Sequence, residues 1–108
     1  MGSLTYRAYS TLVNNAFWTE GGPALDLTPE DITKCFEVSV FGTLYMIQAV
    51  VPHMPRGGRV INIGSIGSRT GFSGTPVYNA TKAANDALTY SMASEVSQTI
   101  FVAMCNCT

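Results

Sequence analysis

Arg59-Val60-Ile61-Asn62-Ile63, running into Gly64-Ser65, is the stretch that decides the fold of this chain. It is β-branched and nearly continuous in apolar character, which makes it the clearest strand in the sequence. Gly57-Gly58 supplies the turn into it. Upstream, Thr28-Pro29-Glu30-Asp31 reads as a helix start, with Thr28 as N-cap and Pro29 in the first helical position. The two acids there face the positive end of the helix dipole. Ile32, Cys35, Phe36, Val40, Leu44, Ile47 and Val51 then recur at steps of three and four, predicting one buried face, and Pro52 and Pro55 end the helix. Further upstream, Thr11-Leu12-Val13 is a short β-type run ending in Asn14-Asn15. Residues 1–7 read as an irregular lead-in, and 17–26, with Gly21-Gly22-Pro23, as a loop.

Downstream of Ser65, Gly64, Gly67, Gly71 and Gly74 with several Ser and Thr residues predict a loop over 64–76. A second helix is predicted over about 77–97, where Ala80, Ala83, Ala84, Ala87 and Ser91 form a small-residue stripe suited to close packing. Residues 99–104 form a third apolar run, read as a strand. The order strand, helix, strand, helix, strand implies parallel pairing with right-handed crossovers. Two such crossovers in one direction put both helices on one face and leave the other bare, whereas parallel sheets are almost always covered on both. The expected fold class is therefore α/β: a partial Rossmann-like, doubly wound parallel sheet, an incomplete domain of about half the usual layers.

Composition agrees with that reading. The chain has 108 residues, enough for one small domain, with net charge −1. Only 12 % of residues are charged, about half the roughly 25 % usual for a soluble domain. The charge balance argues against a basic nucleic-acid-binding surface. Apolar runs stop short of a membrane span and no signal sequence opens the chain, so a soluble, cytoplasmic protein without a membrane partner is expected. Cys35 reads as a packing residue, and Cys105 and Cys107 as an unpaired tail. With His53 the one histidine, no metal site is expected. Asn79-Ala80-Thr81 and Asn106-Cys107-Thr108 match the glycosylation pattern by chance.

The chemistry-bearing pattern is Tyr78-x-x-x-Lys82 at the start of the second helix. A spacing of four puts both side chains on one helical face. An ammonium and a helix N-terminus both favour a phenolate, as a phenol working in general acid–base catalysis requires. On these two residues alone, a solvated surface pair fits as well. Ser65 changes the balance, because it ends the best strand 13 residues before Tyr78, where parallel sheets present their functional loops.

With Ser65 in place, the sequence resembles the short-chain dehydrogenase/reductase family. The resemblance rests on Thr11-Leu12-Val13-Asn14-Asn15-Ala16, on Arg59 through Ser65, and on Tyr78-Asn79-Ala80-Thr81-Lys82-Ala83-Ala84, in the family's order and spacing. It covers about 9–98 of a single partial domain, with 99–108 as a divergent tail. It implies hydride transfer between a nicotinamide cofactor, NAD(P)(H), and a small-molecule carbonyl or secondary alcohol. Tyr78 would be the acid/base. Lys82 would favour its ionisation and hold the nicotinamide ribose, Ser65 would orient the substrate oxygen, and Asn14 would line the cofactor site and tie neighbouring strands. A homo-oligomer through the helices at 28–51 and 77–97 is likewise implied.

The family pattern is not followed throughout. Ser39 stands where the family has a relay Asn, three before Gly42, and Phe17 stands where a Gly closes the Asn-Asn-Ala motif. The family's opening strand and Gly-rich pyrophosphate turn do not precede Thr11. Two readings therefore stand side by side: an oxidoreductase of this family, or a truncated, inactive relative serving as an interaction or dimerisation module.

Overall fold

A computed structural model of the chain describes residues 10–19, 22–65, 67–71 and 73–106. The lead-in at 1–7 and Cys107 lie outside the described residues. Strands β1 (Thr11–Asn14), β2 (Gly58–Gly64) and β3 (Ile100–Asn106) form one sheet in the order β1-β2-β3, parallel throughout. Their register aligns Leu12 with Val60 and Val102, and Asn14 with Asn62 and Met104. The predicted alternation of strand and helix is the one observed.

Helix α1 runs from Pro29 to His53. Thr28 caps it as predicted and adds a reciprocal bond: Asp31 N–H donates to Thr28 Oγ1 at 3.2 Å, and Thr28 N–H to Asp31 Oδ2 at 3.3 Å. The periodicity finds the inward face in part: Cys35 and Ile47 are buried and Phe36, Val40, Leu44 and Val51 half-buried. Ile32 is exposed, and the buried residues are Cys35, Ser39, Thr43 and Ile47, spaced by four. A π-helical segment at Glu37–Phe41 explains that spacing. The wider turn brings every fourth residue back to the same side, where an unbroken α-helix would drift off it. α1 is also long and apolar enough to cross a membrane by length and composition, with mean hydropathy 1.4; the runs of apolar letters had not suggested this. Its Ile47 nonetheless packs against Val60 and Ile100 of the sheet.

The loop predicted over 64–76 contains a one-turn helix, α2 (Gly67–Thr70), too short for periodicity to reveal. Helix α3 follows at Pro76–Val96, with Pro76 in its first turn. Its inward face corrects the expected packing stripe. Ala80, Ala83, Ala87 and Ser91 are exposed, and the buried positions are Asn79, Thr81, Lys82, Asn85 and Thr89. Lys82, Asn85 and Thr89 each find a hydrogen-bond partner across this interface, whereas Thr81 bonds the Tyr78 carbonyl of its own helix.

Burial alternates along the strands as one-sided cover requires. Leu12, Val60, Val102 and Ile100 face the helices, with Val51, Met54, Met92 and Val96 packed around them. The opposite face carries Val13, 52 % exposed, in register with Ile61 and Ala103, and Phe101, 67 % exposed, in register with Arg59. A complete domain of this size has about 5–15 kcal/mol of net stability, and an apolar face left in water removes much of it. The 108-residue polypeptide on its own is accordingly expected to self-associate or to remain molten. Sedimentation and amide chemical-shift dispersion test this, and a monodisperse monomer with one sharp melt would contradict it.

Candidate active site

The three candidate residues of the second and third motifs converge at the C-terminal end of β2. Lys82 emerges from the first turns of α3 and is only 3 % exposed. Its Nζ donates to the carbonyl of Ile63, the penultimate residue of β2, at 3.0 Å. Burial holds the Lys82 pKa below its ordinary value of 10.5, and the carboxylate of Asp86, one turn on, partly opposes the shift. Tyr78 lies one turn before Lys82, with its ring centroid 5.6 Å from Nζ.

Ser65 follows β2 directly. Its Oγ accepts the Gly67 N–H at 3.1 Å, and a hydroxyl oxygen that accepts one bond keeps its hydrogen to donate. The turn is tight: a Cβ on Gly67 would lie 2.5 Å from Asn79 Oδ1 and 3.3 Å from Ser65 Oγ, so any larger residue there would displace the Asn79 side chain. Within α2, Ser68 Oγ lies 2.9 Å from both the Ser65 carbonyl and Asp86 Oδ2, binding the Ser65 turn to the Lys82 helix.

Asn14 ends β1 and donates from Nδ2 to Asn62 Oδ1 at 2.8 Å, joining the first two strands. Asn62 in turn donates to Thr89 Oγ1 at 2.8 Å, and Thr89 to the Asn85 carbonyl at 2.7 Å. Beyond Asn14, a cleft of about 320 Å³ opens between β1 and α1, lined by Asn14, Asn15, Ala16, Val38, Gly42 and Met46 among others. The Asn14 side chain thus stands between that cleft and the sheet.

Phe17 reaches from the β1 side to the Tyr–Lys pair. Its ring meets Tyr78 edge-on at a centroid distance of 5.8 Å, and Lys82 Nζ lies 5.7 Å from its centroid. An aromatic ring in place of the expected Gly therefore walls the ammonium on one side. Sequence reasoning noted Phe17 and Ser39 as departures without placing them, and it missed Ser68, Asn85, Asp86 and Thr89. The four-residue spacing of Lys82 to Asp86 and of Asn85 to Thr89 was the available signal.

The model of the family described as short chain dehydrogenase matches residues 5–108. Among curated proteins, the chain is 43 % identical over 83 residues to a sorbitol dehydrogenase of Cereibacter sphaeroides, covering 74 % of this chain and 32 % of that protein. It is 44 % identical over 87 residues to the short chain dehydrogenase penD of Penicillium thymicola, covering 76 % of this chain and 31 % of the relative. The chain thus spans about a third of the length of these relatives. Among solved structures, a gluconate 5-dehydrogenase from Burkholderia cenocepacia in complex with NADP and tartrate superposes with TM-score 0.89 at 30 % identity, over 94 % of this chain and 41 % of that one. The landomycin C-6 ketoreductase LanV with bound NADP and rabelomycin superposes with TM-score 0.85 at 26 % identity, over 90 % of this chain and 40 % of that one.

The lowered Lys82 pKa sets the sign of a pH effect on stability. Between its folded pKa and 10.5 the unfolded lysine holds a proton that the folded one has lost. Stability from this group therefore rises with pH across that window and levels off above 10.5. The difference in unfolding free energy between the parent protein and Lys82→Met should grow in the parent's favour on approaching pH 10.5 from below. Phe17→Ala, which wets the ammonium, should shrink that slope. Denaturant titrations at stepped pH measure both, and a flat difference curve would contradict them.

Proposed function

The chain belongs to the short-chain dehydrogenase family, and we propose that it contributes the catalytic half of an NAD(P)-dependent oxidoreductase acting on a small carbonyl or secondary alcohol. One observation carries this reading. A buried ammonium, a tyrosine one turn before it and a serine with a hydrogen to donate gather at the C-terminal end of one parallel strand. In open α/β sheets that edge is where ligands bind.

The donor set fits a nicotinamide ribose. Lys82 has one hydrogen bond among the described residues, to Ile63, and its other N–H groups suit a vicinal diol. Tyr78 and Lys82 would hold the ribose, and Asn14 would line the approach from the cleft beside β1. When bound, the nicotinamide supplies or accepts the hydride. The residues of this chain handle the rest. Ser65, its oxygen already engaged by Gly67 N–H, donates its hydroxyl hydrogen to the substrate oxygen and fixes its direction. Tyr78 gives its phenolic proton to that oxygen in reduction and takes it back in oxidation. Lys82, kept at close range by the Ile63 carbonyl, stabilises the negative charge developing on the phenolic oxygen.

Association through the two long helices accords with their outer surfaces. The outer side of α3 carries the alanine stripe and Tyr90, 61 % exposed, and α1 presents Tyr45, 62 % exposed, in a tilted ring contact with Phe41. The same surfaces support a second reading for the 108-residue polypeptide taken by itself: a non-catalytic partner that binds through its helices. Its bare sheet face favours that reading over independent turnover. Nicotinamide fluorescence titration separates the two, since only the first reading requires cofactor binding.

In the full protein, Tyr78→Phe should lower turnover by at least 100-fold while cofactor affinity stays within about threefold, because general acid–base groups contribute about 10²–10⁴-fold. Stopped-flow assay with cofactor titration reads both quantities. Turnover within tenfold of the parent would remove Tyr78 from the acid/base role.

A further inference from the structure

Ser39 occupies the position at which the family pattern calls for Asn, and an asparagine meets it from the facing helix. Ser39 lies within the π-helical turn of α1, Glu37–Phe41. Asn85 Nδ2, on α3, donates to that carbonyl at 2.7 Å, and Thr43 Oγ1 donates to it at 2.9 Å. A carbonyl oxygen has two lone pairs, and here both are taken.

Because Nδ2 is committed to Ser39, the orientation of the Asn85 amide is fixed. Its Oδ1 is then a buried acceptor without a hydrogen-bond partner among the described residues, in a side chain only 4 % exposed. Lys82 sits three residues earlier on the same inward face, 3 % exposed, with N–H groups beyond the one given to Ile63. Residues three apart on a helix are neighbours. A spare buried acceptor and spare buried donors one turn apart are the setting in which an internal water is retained.

We propose that Asn85 is a positioning residue of this site: its nitrogen pins the widened turn of α1 at Ser39, and its oxygen holds, through one bridging water, the Lys82 ammonium beside Tyr78. The amide absent at position 39 is thereby supplied from position 85, across the helix pair. The inference rests on the oxidoreductase reading for its catalytic consequence, but not for the link between Asn85 and Lys82. The other groups facing Lys82 are the Asp86 carboxylate and Tyr78 on α3, the Ile63 carbonyl of β2 and the Phe17 ring. Removing the Asn85 oxygen leaves all of them in place.

The experiment compares the full protein with Asn85→Leu, of similar volume, and with the exchange variant Ser39→Asn/Asn85→Ser, which keeps the same two side chains across the interface. Lys82 is titrated by ¹⁵Nζ NMR, and turnover is followed against pH. In Asn85→Leu the Lys82 titration should move at least half a unit lower, and kcat should fall at least tenfold with KM within about twofold. The high-pH limb of activity should move down with the lysine. The exchange variant should recover kcat to within about threefold of the parent. An unmoved Lys82 titration in a folded Asn85→Leu protein overturns the proposal, whatever its activity. A shifted titration in a protein whose parent shows no nicotinamide-dependent turnover supports the Asn85–Lys82 link and overturns the oxidoreductase reading instead.

Discussion

Between the sheet and its helices runs a line of amide and hydroxyl groups on which the arrangement of this half-domain depends. Asn14 on β1 donates to Asn62 on β2, Asn62 to Thr89 on α3, and Thr89 to the carbonyl of Asn85 one turn back. Asn85 then donates to Ser39 on α1. Two strands and both long helices are thus joined through directional bonds, at a level of the fold where apolar packing would be less selective about register. Such a line stabilises only when its members are partnered, since an unpaired polar atom in a low-dielectric interior is costly. Sliding α3 by one residue would break two of these bonds at once. The polar interior therefore fixes where Tyr78 and Lys82 stand relative to β2.

The alternation of elements was legible because it rests on local signals. Arg59 through Ile63 declares a strand by β-branching, and Thr28-Pro29 declares a helix start by capping chemistry. The rest was hidden for a common reason: periodicity locates apolar residues, and the deciding residues here are polar. On α3 the alanines face outward, while Thr81, Lys82, Asn85 and Thr89 face inward. Thr81 bonds within its own helix, to the Tyr78 carbonyl, but Lys82, Thr89 and Asn85 find partners on β2 and α1 that are 19 to 46 residues away in sequence. The π turn at Glu37–Phe41, where Asn85 of the facing helix meets the Ser39 carbonyl, was equally illegible, because that contact spans 46 residues of sequence. Tyr78, Lys82 and Ser65 could be singled out by motif, whereas Phe17 against the Tyr–Lys pair could not, since a ring contact has no sequence spacing.

The two faces of the sheet illustrate how differently one pattern can be used. On the helix side, Val60 and Asn62 are neighbours in the same buried row, one apolar and one hydrogen-bonded at both ends of its amide. On the other side, Val13, Ile61 and Ala103 share a row in which Val13 and Ala103 are exposed. The strands are as apolar toward that side as a fully covered parallel sheet requires. The chain is also about a third as long as the relatives it resembles. Both facts describe strands suited to a two-sided domain, of which these residues furnish one side.

That the candidate residues Ser65, Tyr78 and Lys82 all reach one edge follows from parallel topology. Strands running in the same direction all end at the same edge, so whatever follows β1 and β2 is delivered to one place without further design. Asn14 ends β1, Ser65 follows β2, and the loop holding α2 is just long enough to return α3 with Tyr78 and Lys82 at its start. The helix must then bring an ammonium to that edge and bury it, which lowers its preference for the charged form. The Ile63 carbonyl and the Asp86 carboxylate offset part of that penalty. The unpartnered oxygen of Asn85 lies on the same buried face. Among the described residues, the buried side-chain oxygens without a hydrogen-bond partner are Asn85 Oδ1 and Asp86 Oδ1, three and four residues after Lys82 on the same helix. Such clustering around a buried ionisable group is the setting in which a functional proton is sought.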